Sequence, residues 1–191
     1  TAMGQDWPQW GRDPQHTGQI NATGQNLNQN IADVIYDPTV PDELSVVNQL
    51  LGEADLLVHY QVPLIDGNNV YMEFKSGNAN RNTFSTLNWA ENKLTWQNGS
   101  LVQAWSFASD WKAPGSYFDF WEPVFHSVLA NGALYVPGAG GTIFKVDKST
   151  GAQIARINPF GTIDNNTYTA GPISADSSGN LAPPVSIAGP F

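Results

Sequence analysis

Residues 122–160 read EPVFHSVLANGALYVPGAGGTIFKVDKSTGAQIARINPF, and this stretch sets the organisation of the whole chain. Residues 125–129 are a first apolar run. Asn131-Gly132 follows, the dipeptide that best tolerates the positive φ of a tight hairpin turn. Residues 133–136 are a second run, closed by Pro137-Gly138-Ala139-Gly140-Gly141. In the third run Thr142, Phe144 and Val146 alternate with Ile143 and Lys145. The turn at 147–151 leads into a fourth strand at 152–157. Four antiparallel strands in under 40 residues form one meander, the size of a propeller blade.

Working outward, residues 63–72 repeat the start of that meander. Asp66-Gly67 makes the turn, and Val70-Tyr71-Met72 matches Leu134-Tyr135-Val136. The two tyrosines lie 64 positions apart, about 20 more than a propeller repeat of roughly 40–50 residues needs. The excess falls either in the Asn-rich stretch 75–86 or in 108–120. Residues 87–107 complete this copy through a turn at Asn98-Gly99. A third copy begins at 170–181, 47 residues after the second when Leu134 is set on Leu181. The tyrosine and strand expected after Leu181 are missing there. Residues 42–51 are the one stretch with helical spacing, through Leu44, Val47, Leu50 and Leu51. Asp42 is its expected cap and Gly52 its stop. Residues 55–62 read as a strand, with His59 an ordinary partly buried histidine.

Leu134-Tyr135-Val136, the glycine cluster, Ile143-Phe144-Lys145-Val146-Asp147 and Ser149-Thr150-Gly151 together resemble the repeat of the pyrroloquinoline-quinone-like (quinoprotein dehydrogenase-like) β-propellers. Most members of that family close the repeat with Trp. Ala104-Trp105-Ser106-Phe107 fits this pattern, whereas the later copy has Ala155-Arg156-Ile157. The N-terminal run Asp6-Trp7-Pro8-Gln9-Trp10-Gly11-Arg12-Asp13-Pro14-Gln15-His16-Thr17-Gly18 resembles the segment that opens many secreted members. The matches cover about a quarter of the chain and imply an all-β fold: antiparallel four-stranded blades of a partial β-propeller, or its N-terminal part, with at most one short helix. Residues 1–43 read as an ordered strap, 44–121 as a first blade region with insertions, 122–160 as a second blade, and 161–191 as the start of a third blade and a tail.

Composition bounds the function. The chain has 191 residues, no Cys and a net charge of −9. It therefore holds no disulfide framework, zinc–thiolate site or thiol nucleophile. Charged residues are 13%, about half the usual share; 18 Asn and 11 Gln supply polarity instead. The acidity argues against nucleic-acid backbones, which require a basic face. It also disfavours an anionic membrane surface, and no apolar run is long enough for a membrane span. Residues 1–60 alone carry eight acids against Arg12, which reads as a solvated acidic face or one that meets a cationic partner. Asn21, Asn98 and Asn165 stand in glycan-acceptor sequons.

The chemistry-bearing motifs are few. There is no P-loop, nucleophile elbow, metalloprotease helix or Rossmann fingerprint. His16, His59 and His126 are dispersed, and the Asp-rich turns lack the ligand ladder of a calcium loop. Quinoprotein dehydrogenases hold their quinone with vicinal cysteines, a calcium on Glu, Asn and Asp, and a catalytic Asp. This chain has no Cys, and none of its positions matches the calcium ligands, so no cofactor and no catalytic residue carry over. The densest local candidate is the passage 110–126, where Trp111, Tyr117, Trp121, Glu122 and His126 are the expected ligand-binding residues. Aromatics beside carboxylates suit sugar stacking or peptide capture. The same aromatics also read as the core of a neighbouring blade.

These readings favour a secreted, periplasmic or cell-surface propeller module that binds or assembles without catalysis. Its expected partners are copies of itself, another β-rich chain, or glycans. The alternative is part of a quinone-dependent oxidoreductase whose remaining blades and active site lie outside this chain. A propeller closes with four to eight blades, and about two and a half are visible. A fragment of a longer propeller, a chain whose edges are covered by other chains, and a small open sandwich all fit. Open edges are expected near 56–62 and 173–181, with the Pro183–Pro184 tail packed across the junction.

Overall fold

The computed structural model describes residues 6–21, 39–52, 61–78, 86–112, 125–164, 167–183 and 185–187. Among them are one α-helix, a short 3-10 turn at Ala139–Gly141 and twelve strands, and every strand pairing is antiparallel. The helix, α1 (Val40–Leu51), starts two residues earlier than its leucine spacing suggests. Thr39, not Asp42, is the N-cap, and Pro41 falls in the first turn, where a missing N–H costs nothing. Gly52 ends it in the left-handed region and donates its N–H to Asn48. The strand read at 55–62 lies largely outside the described residues; Gln61 to Pro63 is not strand.

Strands β1 (Leu64–Asp66), β2 (Asn69–Ser76), β3 (Asn88–Gln97) and β4 (Ser100–Ser109) form one meander in chain order. Strands β5 (Val128–Ala130), β6 (Ala133–Pro137), β7 (Ile143–Asp147) and β8 (Gln153–Ile157) form a second. Then come β9 (Thr167–Thr169), β10 (Ser174–Ala175), β11 (Leu181–Ala182) and β12 (Val185–Ile187). β10 pairs with β11, while β12 returns to pair with β9. The tail that follows Leu181 therefore closes a local ladder of its own. Asn98 and Asn131 both take positive φ in two-residue turns with the glycine that follows, as the Asn-Gly signal demands.

The two meanders are structural copies. Leu64, Tyr71 and Lys93 stand side by side in the first; Val128, Tyr135 and Lys145 do so in the second. Each lysine lies 5.9 Å from its tyrosine ring, and each is followed by a register shift to the outer strand. Tyr71 and Lys93 are 22 positions apart but Tyr135 and Lys145 only 10. Most of the extra length in the first copy therefore lies between β2 and β3, where the Asn-rich stretch stands.

The layers stack face to face into an open pile. Tyr71 and Trp89 of the first sheet pack on Leu134, Val136, Phe144 and Val146 of the second. The second sheet's opposite face, with Val128, Tyr135 and Ile143, packs on Ile173 and Ala175 beside the β10–β11 hairpin. Period-2 alternation makes this possible, because each strand has two faces to bury. Trp105 of β4 locks the first pair of layers. Its indole N–H and the Tyr71 hydroxyl both donate to the Lys148 carbonyl, at 3.3 and 3.2 Å. Its ring lies over Gly151, where a Cβ would sit 2.8 Å from it. Gly151 also has φ +76°, so Gly151→Ala strains the backbone and overpacks the contact. The expected loss is about 2 kcal/mol or more in urea unfolding; an unchanged midpoint would show that Trp105 simply slides aside.

A strap crosses the inner edges of the pile. Trp7 exchanges both backbone hydrogen bonds with Ile65 of β1, each 2.9 Å. The Pro8 carbonyl accepts from Leu129 of β5 at 2.7 Å. Gln9 uses its side-chain amide on Ala175 of β10, accepting from the N–H at 2.8 Å and donating to the carbonyl at 3.2 Å. The edge expected to be open at 173–181 thus carries strap residues at Ala175, and β1 carries them at Ile65. Both edges have backbone groups that would otherwise lack partners.

Candidate functional site

Of the five expected ligand-binding residues, Tyr117, Trp121 and Glu122 lie outside the described residues. Trp111 and His126 are described, and both are fully buried. Trp111 follows β4, its N–H held by the Ser109 hydroxyl at 3.0 Å. Its indole N–H donates to the Thr169 carbonyl at 3.2 Å. Its ring packs edge-on against Trp89, with centroids 4.8 Å apart, and against Phe125 at 5.6 Å. That is the geometry of a core aromatic cluster. Trp111, expected in a ligand site, thus lies in the interior: an aromatic-rich passage does not reveal from its sequence which rings turn inward.

His126, also expected in a ligand site, is likewise interior. Its Nδ1–H donates to the Ser127 carbonyl at 2.7 Å, leaving Nε2 as a buried lone pair without a partner among the described residues. Burial is the main cause that lowers its pKa, to about 4, against a smaller upward pull from the Ser127 carbonyl. The imidazole is therefore neutral across the physiological range.

Beside it lies the polar interior of the pile. Tyr71, Glu73 and Lys75 alternate along β2, and their partners on β3 are Lys93, Glu91 and Trp89. All six share one face, so the sheet turns charged residues inward. Glu91 is fully buried; its Oε1 accepts from the Gln61 amide at 3.0 Å and its Oε2 from the Ser127 hydroxyl at 2.8 Å. Burial raises its pKa to about 7, although both hydrogen bonds pull the other way. Glu73, directly opposite, accepts from the Gln61 backbone N–H at 3.0 Å. Gln61 therefore bridges the two carboxyl groups. Lys75 meets Glu43 of α1 at 2.7 Å and lies 5.5 Å from the Trp89 ring centre.

Sequence reasoning missed this cluster. The apolar residues Val70, Met72 and Phe74 suggest themselves as the inward set, yet Glu73 and Lys75 are the more buried. One signal was present: matching Tyr71 to Tyr135 fixes which face is which, and Glu73 and Lys75 share that face.

The cluster carries groups suited to acid–base chemistry, but they are sealed between layers. A cleft lies elsewhere, between the β1–β2 and β5–β6 turns, lined by Asp6, Pro8, Asp66, Asn131 and Lys148. It holds about 190 Å³, below the roughly 300–1,000 Å³ of small-molecule sites. Its lysine is paired with Asp66 at 2.5 Å, and the Asp6 carboxylate accepts from the Gly67 N–H at 2.9 Å. Among the described residues no three metal-ligating side chains come together. The donor set of a quinone site with its calcium does not fit these residues, since the chain also has no Cys. No described helix is long and apolar enough to cross a membrane. No protein-family model matches the chain, and neither does any curated protein.

Proposed function

We propose that this chain is a non-catalytic module of propeller-type blades, secreted, periplasmic or displayed at a cell surface, and that its work is binding and assembly. The repeated tyrosine–lysine pairs, the paired register shifts and the docking of Trp105 on the next layer's Thr-Gly turn support the blade reading. The acid–base groups are enclosed and therefore reach no substrate.

One observation carries the assembly reading. β4 is ten residues long, has no charged side chain, and pairs only with β3 among the described strands. A long uncharged edge is a template for another strand. Val102 on that edge is exposed, as are Ile154 and Ile157 on β8, the outer strand of the second sheet. A second copy, or another β-rich chain, can add a strand there by main-chain pairing.

Light scattering across a dilution series tests this. The parent chain is expected to gain mass with concentration, and Val102→Lys to shift that gain at least tenfold upward in concentration. A parent that stays monomeric at all concentrations removes the assembly reading. A glycan array, with Trp121→Ala as control, tests sugars as partners. Turnover with an artificial electron acceptor after loading with the quinone and Ca²⁺ would instead favour the oxidoreductase reading.

A further inference from the structure

The strap is a bound peptide in all but connectivity. Four successive residues each satisfy a different element: Asp6 accepts from Gly67 in the β1–β2 turn, Trp7 pairs with Ile65 of β1, Pro8 accepts from Leu129 of β5, and Gln9 clamps Ala175 of β10. Main-chain bonds supply the attachment and two side chains supply the sequence choice, the division of labour found where an extended peptide joins a sheet edge. The Gln9 amide matches a peptide group donor for acceptor, which Glu, Asp or an apolar residue cannot do.

We propose that the groove along the inner edges of β1, β5 and β10 is a receptor for an extended Asp-Trp-Pro-Gln segment, and that residues 6–9 of a second copy take the place of the chain's own. Three observations support exchange. The contact is made chiefly of hydrogen bonds, which an identical segment remakes one for one. Trp7 and Pro8 are only half-buried and Trp10 is 44% exposed, so no large apolar anchor pins the strap. The loop that follows the docking residues is also held by bonds of its own, which do not depend on the groove. The Gln9 carbonyl accepts from Arg12, the Gly11 carbonyl accepts from Gly18, and the Asp13 carboxylate holds both Thr17 groups. A ligand ordered before binding loses less entropy on docking. Exchange of an identical element is a low-cost route to association, and the chain's own segment is the one ligand whose fit to this groove is seen.

The inference deepens the assembly reading but uses a different surface, the inner edges rather than β4. Because the chain has no Cys, single introduced cysteines take labels cleanly. Donor dye goes on Gln15→Cys in the strap, and acceptor dye goes on Asn68→Cys in the β1–β2 turn of separately prepared full-length chain. On mixing, energy transfer between chains is expected to grow with time. Excess synthetic peptide of residues 5–18 should suppress it, and the same peptide with Gln9→Ala should need at least tenfold more. Absence of transfer from micromolar to millimolar chain overturns the proposal, as does equal potency of the two peptides. Light scattering on the same samples separates the failures: association without transfer removes strap exchange alone, whereas no association removes the assembly reading too.

Discussion

Replacing Glu91 with Gln should stabilise the protein at pH 8 by on the order of 3 kcal/mol, the value of a shift from 4.5 to about 7 at roughly 1.4 kcal/mol per unit. Between those two values the folded chain holds a proton on Glu91 that the unfolded chain has lost. Stability therefore falls as pH rises through this window and stays low above it. His126 acts in the opposite sense. Its folded value of about 4 lies below 6.5, so between these limits the unfolded chain takes a proton that the folded chain refuses, and stability rises with pH. In the parent the two slopes oppose each other from about 4.5 to 6.5, and a net fall remains from 6.5 to 7. The introduced amide keeps the shape of the neutral acid, and the Ser127 hydroxyl can accept where it donated before. With Glu91→Gln only the histidine slope remains, and stability should climb from about pH 4 to 6.5 and then level off. Glu73, Lys75 and Lys93 share the face with Glu91, and the variant also loses the carboxylate's repulsion from Glu73 and its attraction to the two lysines, which act in opposite senses. Urea unfolding at several pH values spanning the two titrations measures both curves. A Glu91→Gln variant less stable than its parent at pH 8 would show that the carboxylate form is the one the fold prefers.

This interior illustrates where the sequence stops being legible. Turn chemistry could be read directly, because Asn98-Gly99 and Asn131-Gly132 have few other uses. The copy relation between Tyr71 and Tyr135 could also be read, and with it the four-strand meanders. Period-2 alternation tells which residues share a face, but not which face a neighbour will cover. In β2 the apolar set and the buried set are different, since the cover comes from β5–β7 and α1, far along the chain. Long-range capping is hidden for the same reason. Nothing local to Gln9 announces that its amide completes an edge at Ala175, 166 positions away. The interior placement of Trp111 and His126 was not legible either, because aromatic and imidazole groups serve interiors and sites equally well.

The pair between α1 and the first sheet gives the other large expected effect. Lys75 and Glu43 are 3% and 5% exposed, and their charged atoms are 2.7 Å apart. The Thr39 hydroxyl donates to the same Glu43 oxygen at 2.9 Å, which places the carboxylate at the start of the helix, where the N–H groups favour negative charge. Two charges taken out of water recover that loss only through each other and their hydrogen bonds. Lys75→Met should therefore cost about 3–5 kcal/mol, since it leaves the Glu43 carboxylate buried without its cation. Adding Glu43→Leu should restore most of the loss, because two apolar side chains can fill the same volume beside Trp89. The double variant is expected within about 1–2 kcal/mol of the parent. A double-mutant cycle in urea measures the coupling directly. Additive losses would mean that the ion pair contributes nothing of its own and that Lys75 acts through its stem against the Trp89 ring. Strong coupling would establish that α1 is held to the sheet in part by charge.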